Sequence, residues 1–213
     1  MNIFEKKYQE TGFESQRKYP NESLVAFASG INGRILDLGC GSGANTWFLA
    51  KEGKEVYGID SSPTAIKLCK KMLKKWGVSA KLRVGKMTEL PYKNDFFDYV
   101  VDVVSLQHLD ITEHEKSFKE IHRVLKPSGK FFSFHLGENS VSNKGKKIDN
   151  FTIENIAAGM PLANNGPTCF LTTEKAKELL SNFKDINIEK LTRTYQNQKM
   201  VIEYLIIKAI KNE

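Results

Sequence analysis

From residue 34 onward, short apolar runs alternate with amphipathic stretches. Arg34-Ile35-Leu36-Asp37-Leu38 reads as a strand that stops at glycines, and residues 44–52 read as a helix. Glu55–Asp60 is a second strand. Ser62 or Pro63 opens a helix that runs to about residue 76, with Pro63 suited to a first helical position and Ser62 to its cap. Lys81–Val84 and residues 97–104 are the third and fourth strands. Residues 113–125 form a helix stopped by Lys126-Pro127-Ser128-Gly129, and residues 130–135 make a fifth strand. Strands that alternate with helices imply right-handed crossovers and a mainly parallel sheet covered on both faces.

The flanks behave differently. Residues 1–29 are polar with scattered aromatics (Tyr8, Phe13, Tyr19 and Phe27), and Pro20-Asn21-Glu22 marks a turn or helix start, so this segment reads as a helical cap. Residues 137–171 break the alternation. They are rich in Asn, Lys, Gly and Ser, with a weak helix near 153–158, and are too long for a simple connection. Phe151, Ile156, Met160, Leu162 and Phe170 within that polar frame predict a lid over a ligand, formed with residues 4–20. Thr172 or Thr173 then caps a helix to residue 182. Residues 186–195 and 200–210, joined by Gln196-Asn197-Gln198-Lys199, predict an antiparallel hairpin. The expected organisation is one domain over 1–213: cap 1–29, core 30–137, inserted lid 138–171, and final helix and hairpin 172–213.

Composition adds exclusions. The chain has 213 residues, 40% of them hydrophobic and 27% charged, which suits one globular domain around a sheet. No apolar run is long enough to cross a bilayer, and the first residues lack an apolar signal segment, so a cytoplasmic protein is expected. Cys40, Cys69 and Cys169 are few and far apart, with no Cys-x-x-Cys pair, so neither a disulfide framework nor a metal site is expected. The net charge of +7 comes mostly from lysines on presumed helix faces. It fits a solvated surface, with an anionic substrate or nucleic acid as the alternative.

The chemistry concentrates at Leu36-Asp37-Leu38-Gly39-Cys40-Gly41-Ser42-Gly43, where the first strand turns into the first helix of the alternation. This is the ligand position of an open α/β sheet. Glycines there let backbone approach a ligand, and amides at a helix start suit a carboxylate. Gly39-x-Gly41-x-x-Ala44 would also pass as a dinucleotide fingerprint. Asp37 argues against that reading, because a carboxylate repels pyrophosphate and attracts an amino-acid tail. Asp60, at the end of the second strand, can accept hydrogen bonds from both hydroxyls of a ribose, or can act as a plain cap with Ser61 and Ser62.

Taken together, Leu36–Gly43, Val56–Ala65, Leu90-Pro91-Tyr92 with Phe97-Asp98-Tyr99-Val100-Val101, and Arg123-Val124-Leu125-Lys126-Pro127-Ser128-Gly129 resemble the class I S-adenosylmethionine-dependent methyltransferases. They are most similar to the type 11, ubiquinone/menaquinone-biosynthesis-like small-molecule branch. The resemblance runs from about residue 30 to 137. It implies a Rossmann-like, doubly wound seven-stranded sheet, mainly parallel with an antiparallel last strand. It also implies S-adenosylmethionine as cofactor, with Asp37, Gly39 and Gly41 at its methionine part, Asp60 at the ribose and the segment after the third strand beside the adenine. One departure stands out: relatives carry Gly-Asp-Ala where this chain has Gly85-Lys86-Met87-Thr88, so a lysine replaces the acid beside the adenine. The cofactor-contacting set expected here is Asp37, Gly39, Cys40, Gly41, Gly43, Asp60, Ser61, Lys86, Met87, Thr88 and Val103, with Tyr8, Arg17 and Tyr19 folding over from the cap.

Methyl transfer asks mainly for alignment of a nucleophile, and a hydroxyl acceptor also needs a base. His108, just after the fourth strand, is the base candidate; its alternative role is to order the loop. His135 ends the fifth strand among phenylalanines, and His114 and His122 lie on a helix, all three reading as structural. The expected activity is methyl transfer to an O or N atom of a small molecule by a monomer or homodimer. Three alternatives stand beside it. One is an RNA methyltransferase, although the Asn/Asp-Pro-Pro-aromatic run of base-methylating relatives is replaced by Asp102-Val103-Val104-Ser105. The others are a non-catalytic S-adenosylmethionine-binding protein and a dinucleotide oxidoreductase.

Overall fold

The structure is a computed structural model that describes residues 3–213; the first two residues of the expected cap lie outside the described residues. The cap forms two helices, α1 (Ile3–Thr11) and α2 (Glu22–Ala28). Asn21 starts α2 by accepting from the Ser23 and Leu24 amides, the capping role its short side chain favours. The alternation follows as β1 (Arg34–Leu38), α3 (Ala44–Lys51), β2 (Glu55–Asp60), α4 (Pro63–Trp76), β3 (Lys81–Val84), β4 (Phe97–Val103), α5 (Ile111–Val124) and β5 (Leu125–Leu136). After β5 come β6 (Lys146–Lys147), β7 (Thr152–Glu154), β8 (Thr168–Cys169), α6 (Thr173–Leu179), β9 (Phe183–Tyr195) and β10 (Met200–Lys211).

Seven strands form one sheet in the order β3-β2-β1-β4-β5-β10-β9. The first five are parallel, and β10 runs antiparallel to both of its neighbours. This is the expected doubly wound sheet with an antiparallel last strand.

Strand residues alternate between two cores. Leu36, Leu38, Val100 and Phe131 face a cluster completed by Phe118, Ile121 and Val124 of α5 and Ala176 of α6. Ile35, Val101 and Phe132 face the other side, against Leu24 and Ala28 of α2 and Leu49 of α3. Burial on both faces explains why the central strands read as continuous apolar runs.

Three local expectations differ. First, α5 begins at Ile111 because Asp110 and Glu113 form a capping box that starts the helix before the apolar period becomes visible. Second, Lys126–Gly129 lies as an irregularity inside β5, with Ser128 at φ 60°: Leu125 already pairs with Phe97 before Lys130 pairs with Tyr99. Third, residues 153–158 are not helical. Ile153 lies in β7, Asn155 turns the chain at φ 57°, and Ile153 and Ile156 bury against Leu136, Phe170 and Ile202. Tertiary burial overrides a weak helical period there.

The insertion is therefore ordered, with a small sheet β6-β7-β8 of its own. It is fastened to the main sheet by backbone bonds from Gly137 N to Glu203 O at 2.9 Å and from Leu171 N to Leu136 O at 3.1 Å. Among the described residues no helix is long and apolar enough to cross a membrane.

Candidate functional site

The turn after β1 opens onto a cavity of about 960 Å³ at the C-terminal ends of the parallel strands. This is where the crossover connections of an open α/β sheet leave a crevice. One wall is the glycine turn Gly39-Cys40-Gly41-Ser42, with Asp60 and Ser61 beside it and Val103 at the end of β4. The opposite wall comes from α1 and the segment after it, through Phe4, Tyr8 and Arg17. The far end is built by His108 and Leu109 with the insertion residues Asn155, Ile156, Asn165 and Pro167. A side recess of about 160 Å³ continues past Asp60 and Ser61 to Gly85, Lys86, Met87 and Thr88.

The glycines are needed by geometry. Gly39 has φ 64°, and a Cβ there would stand 2.3 Å from Ser105 Cβ and 2.9 Å from Met87 Cε. Gly41 has φ 52°, and its Cβ would meet the Tyr8 hydroxyl at 2.6 Å. Positive φ strains any other residue at both positions, and at Gly39 the approach of Ser105 leaves no room for a Cβ. Gly43 serves differently: it caps α3 at φ 90° and packs on Cys69, outside the cavity wall.

Asp60 holds the turn together. Its Oδ2 accepts from Gly41 N at 2.9 Å and its Oδ1 from Ser62 N at 2.9 Å. Burial raises its pKa above the ordinary carboxylate value. The cap role and the cavity position thus coexist, because each carboxylate oxygen retains a lone pair for a further donor.

Asp37 does not reach the cavity wall. The strand pleat that sends Leu36 and Leu38 to the α5 side sends Asp37 to the α3 side, where its Oδ2 accepts from Thr46 Oγ1 at 2.6 Å. It is fully buried, and desolvation raises its pKa to about 7 against the pull of the Thr46 hydrogen bond and of Arg17. Arg17 donates to Asn45 Oδ1 at 3.3 Å and lines the cavity above.

Tyr19 stands away from the site, 67% exposed, with its ring edge-on to Trp76 at 6.3 Å. Its neighbours explain this. Trp47 Nε1 donates to Lys18 O at 2.7 Å and Asn21 N donates to Asn45 Oδ1 at 3.0 Å, so this stretch lies flat on α3 and turns Tyr19 outward. Lys86 is exposed beside the recess, whereas Met87 reaches both cavities.

His108 sits on a short 3-10 turn, Leu106–His108, anchored by Asp102. Asp102 is buried; its Oδ1 accepts from Ser105 N at 3.1 Å and Leu106 N at 3.0 Å, and its Oδ2 from Ser133 Oγ at 2.6 Å. The Phe4 ring lies 4.5 Å from the His108 ring at 55°. Burial, with the Lys7 ammonium adding to it, lowers the His108 pKa to about 4, so the ring is neutral at ordinary pH. Gln107 Nε2 lies 3.3 Å from its Nε2 and the Pro167 backbone eases its pKa back up, while its Nδ1 makes no hydrogen bond of good geometry. Such a ring can accept a proton in a step that forms its cation only transiently.

Sequence reasoning missed several wall residues. Asn45, Ser105 and Leu109 carry no motif, and Phe4, Asn155 and Asn165 lie in the segments expected as the lid without being singled out. Asp102 offered the clearest missed signal, an acid set among Val100, Val101, Val103 and Val104 at the end of its strand.

Comparison with known proteins agrees with this architecture. Residues 35–129 match the family model described as a methyltransferase domain. The chain is 27% identical over 171 residues to the sterol 4-C-methyltransferase of Caenorhabditis elegans, covering 78% of this chain and 49% of the relative. It is 32% identical over 121 residues to the demethylmenaquinone methyltransferase of Lactiplantibacillus plantarum, covering 54% and 50%. The chain thus spans about half the length of the curated relatives it matches. Among solved structures, a SAM-dependent methyltransferase from Methanosarcina mazei superposes with a TM-score of 0.73 at 23% identity, over 92% of this chain and all of that one. A phosphoethanolamine N-methyltransferase from Haemonchus contortus, in complex with S-adenosyl-L-methionine, gives 0.71 at 20% identity, over 99% of this chain and 57% of that one.

Proposed function

We propose that this chain, a member of the class I S-adenosylmethionine-dependent methyltransferase family, transfers a methyl group to an O or N atom of a small molecule. The observation that carries this reading is the polarity of the cavity. Asp60 lines one end, with Asp37 buried behind the wall near Arg17, and the neutral ring of His108 lies at the other. Carboxylates kept protonation-prone by burial are eased by a cationic ligand, which suits an ammonium and a sulfonium. The glycine turn, which a Cβ would fill, fits a ligand pressed against backbone.

Bound S-adenosylmethionine supplies the activated methyl group. Asp60 receives the ribose hydroxyls, Gly39, Cys40 and Gly41 offer backbone to the amino-acid tail, and Tyr8 and Arg17 cover it from α1. Met87 and Val103 flank the adenine, with Ser61, Lys86 and Thr88 at the recess; Asp37 acts through its charge. His108 takes the proton of a hydroxyl acceptor, and Phe4 holds its ring. An amine acceptor needs less of that base.

Cofactor affinity is expected near micromolar, about −8 kcal/mol. Calorimetry with S-adenosylmethionine and S-adenosylhomocysteine tests this half, and absence of heat with both sinks it. A methyl-acceptor screen against metabolite extract, using labelled cofactor and mass detection, tests the other half. Labelled small molecules support the reading, whereas label confined to RNA, or none, rejects it.

The insertion and α1 form the acceptor's lid. Lys7 Nζ hydrogen-bonds Asn165 Oδ1, bridging the two segments across the cavity mouth. Replacing residues 157–166 with a Gly-Ser linker keeps the buried Ile153, Ile156 and Phe170 in place. Cofactor affinity should persist while acceptor turnover is lost; retained turnover refutes the lid.

A further inference from the structure

Behind the cavity, three side chains from three separate elements meet in the core: His114 of α5, His135 of β5 and Cys169 of β8. All three are fully buried, and their ligand atoms (an imidazole nitrogen from each histidine and the cysteine sulfur) lie within 4.8 Å of one another. Among the described residues no other group of three such side chains converges. Methyl transfer as derived above uses none of them.

The protons decide what this cluster can hold. His114 Nδ1 lies 2.8 Å from Asp110 O, and His135 Nδ1 lies 2.9 Å from Leu136 O. A carbonyl oxygen only accepts, so each Nδ1 carries the hydrogen. Both Nε2 atoms of neutral rings are then bare, and they face each other at 3.0 Å. Two opposed lone pairs in a dry core repel unless a positive centre sits between them.

We propose that His114 Nε2, His135 Nε2 and Cys169 Sγ form a binding site for a divalent zinc-type ion. Two imidazoles and a thiolate are a borderline-soft donor set that suits zinc. Zn–N bonds of about 2.0–2.1 Å at a tetrahedral angle place two nitrogens about 3.3 Å apart, within a few tenths of the separation here. The sulfur, no more than 4.8 Å from either nitrogen, comes to a Zn–S distance of about 2.3 Å by a side-chain movement. The outer contacts are also those of a metal site, because ligating histidines donate the other N–H to a carbonyl. Burial pushes the Cys169 thiol up to about 12 against the pull of the Thr152 hydroxyl, so the thiolate forms only with the ion in place. Binding replaces the Cys169 S–H with an S–Zn bond and releases that proton to solvent, without redox change. The ion fastens the insertion through β8 to β5 and α5, an attachment otherwise made by a few backbone bonds and the Ile153–Phe170 cluster.

The test uses the full-length wild-type chain, stripped with chelator and reloaded with zinc or cobalt(II) alone. One ion per chain, a thiolate-to-cobalt charge-transfer band and a higher Tm in the loaded form are expected. Cys169→Ala should lose the charge-transfer band, and His135→Gln should weaken zinc binding at least 100-fold, beyond the ~10–100-fold effect of outer contacts. Chelation should also speed proteolysis within residues 138–171. Sub-stoichiometric metal in the wild-type chain, or cobalt bound without a thiolate band, overturns the site. A pair that merely shares a proton gives that first result, and because the readouts are metal content and spectra, they are independent of whether methyl transfer is found.

Discussion

Glu5 Oε1 accepts a hydrogen bond from the Thr64 hydroxyl at 2.6 Å, and Glu5 Oε2 accepts from the Thr64 amide at 3.1 Å. The contact pins α1 to the first turn of α4, where backbone amides stand unpaired and favour an anion. Hydrogen bonds from Ser62 and Thr64 hold the Glu5 carboxyl down at about 2. Since α1 carries Phe4 and Tyr8 over the cavity, Glu5→Ala should release the cap without unfolding the sheet. The expected outcome is a several-fold faster cofactor dissociation in stopped-flow measurements with little change in Tm. An unchanged dissociation rate would mean that α1 is held by other contacts.

Asp60→Ala removes the acceptor proposed for the ribose hydroxyls and also frees Gly41 N. Loss of charge-assisted hydrogen bonds predicts a weakening of cofactor affinity by about 1–3 kcal/mol. Calorimetry against the wild type reads this directly, and an equal dissociation constant would reduce Asp60 to a cap for α4.

His108→Ala should lower kcat for a hydroxyl acceptor by about 10²–10⁴ while leaving cofactor affinity within a few-fold. The active form is the neutral ring, and burial lowers its pKa to about 4. Activity assigned to this base is therefore present above that value and lost as pH falls through it. An acidic limb of kcat near pH 6.5, or wild-type turnover in the variant, would falsify the assignment.

Asp37 gives the opposite sign. Its pKa is raised to about 7 by burial, against an unfolded value of 3.8. Between those values the folded chain holds a proton that the unfolded chain has lost, so stability falls as pH rises from about 4 to 7 and then levels. Asp37→Asn removes this slope, and the gain at pH 8 is on the order of a few kcal/mol. Thermal unfolding of both proteins across pH 5–8 measures the difference; parallel curves would rule out the raised carboxyl. Cofactor should also bind the wild type more tightly at pH 8, where Asp37 is ionised, than at pH 6, where it is protonated.

Gly39→Ala places a methyl 2.3 Å from Ser105 Cβ at a backbone φ of 64°. Backbone at Ser105 cannot retreat, because its amide is held by Asp102. A lower Tm and loss of cofactor binding are expected together; unaltered binding would show that the turn can open.

The alternation of elements, the crevice at Gly39–Ser42 and the position of Asp60 at the end of β2 were legible in the sequence. Each is a local matter of hydrophobic period, turn residues or chain order, and such signals survive without tertiary information. The direction of Asp37 was not legible, since it follows from which sheet face each parity of the strand serves. Tyr19 reads as a partner for the cofactor only until Trp47 and Asn45 pin its neighbours to α3. The insertion looked helical near 153–158, yet its apolar residues became strand and loop because Leu136, Phe170 and Ile202 lay ready to bury them. Most of all, His114, His135 and Cys169 are far apart in the chain and carry no ligand spacing. Local propensity places each on its own element, but only the packing of α5, β5 and β8 against one another turns their side chains toward a common point.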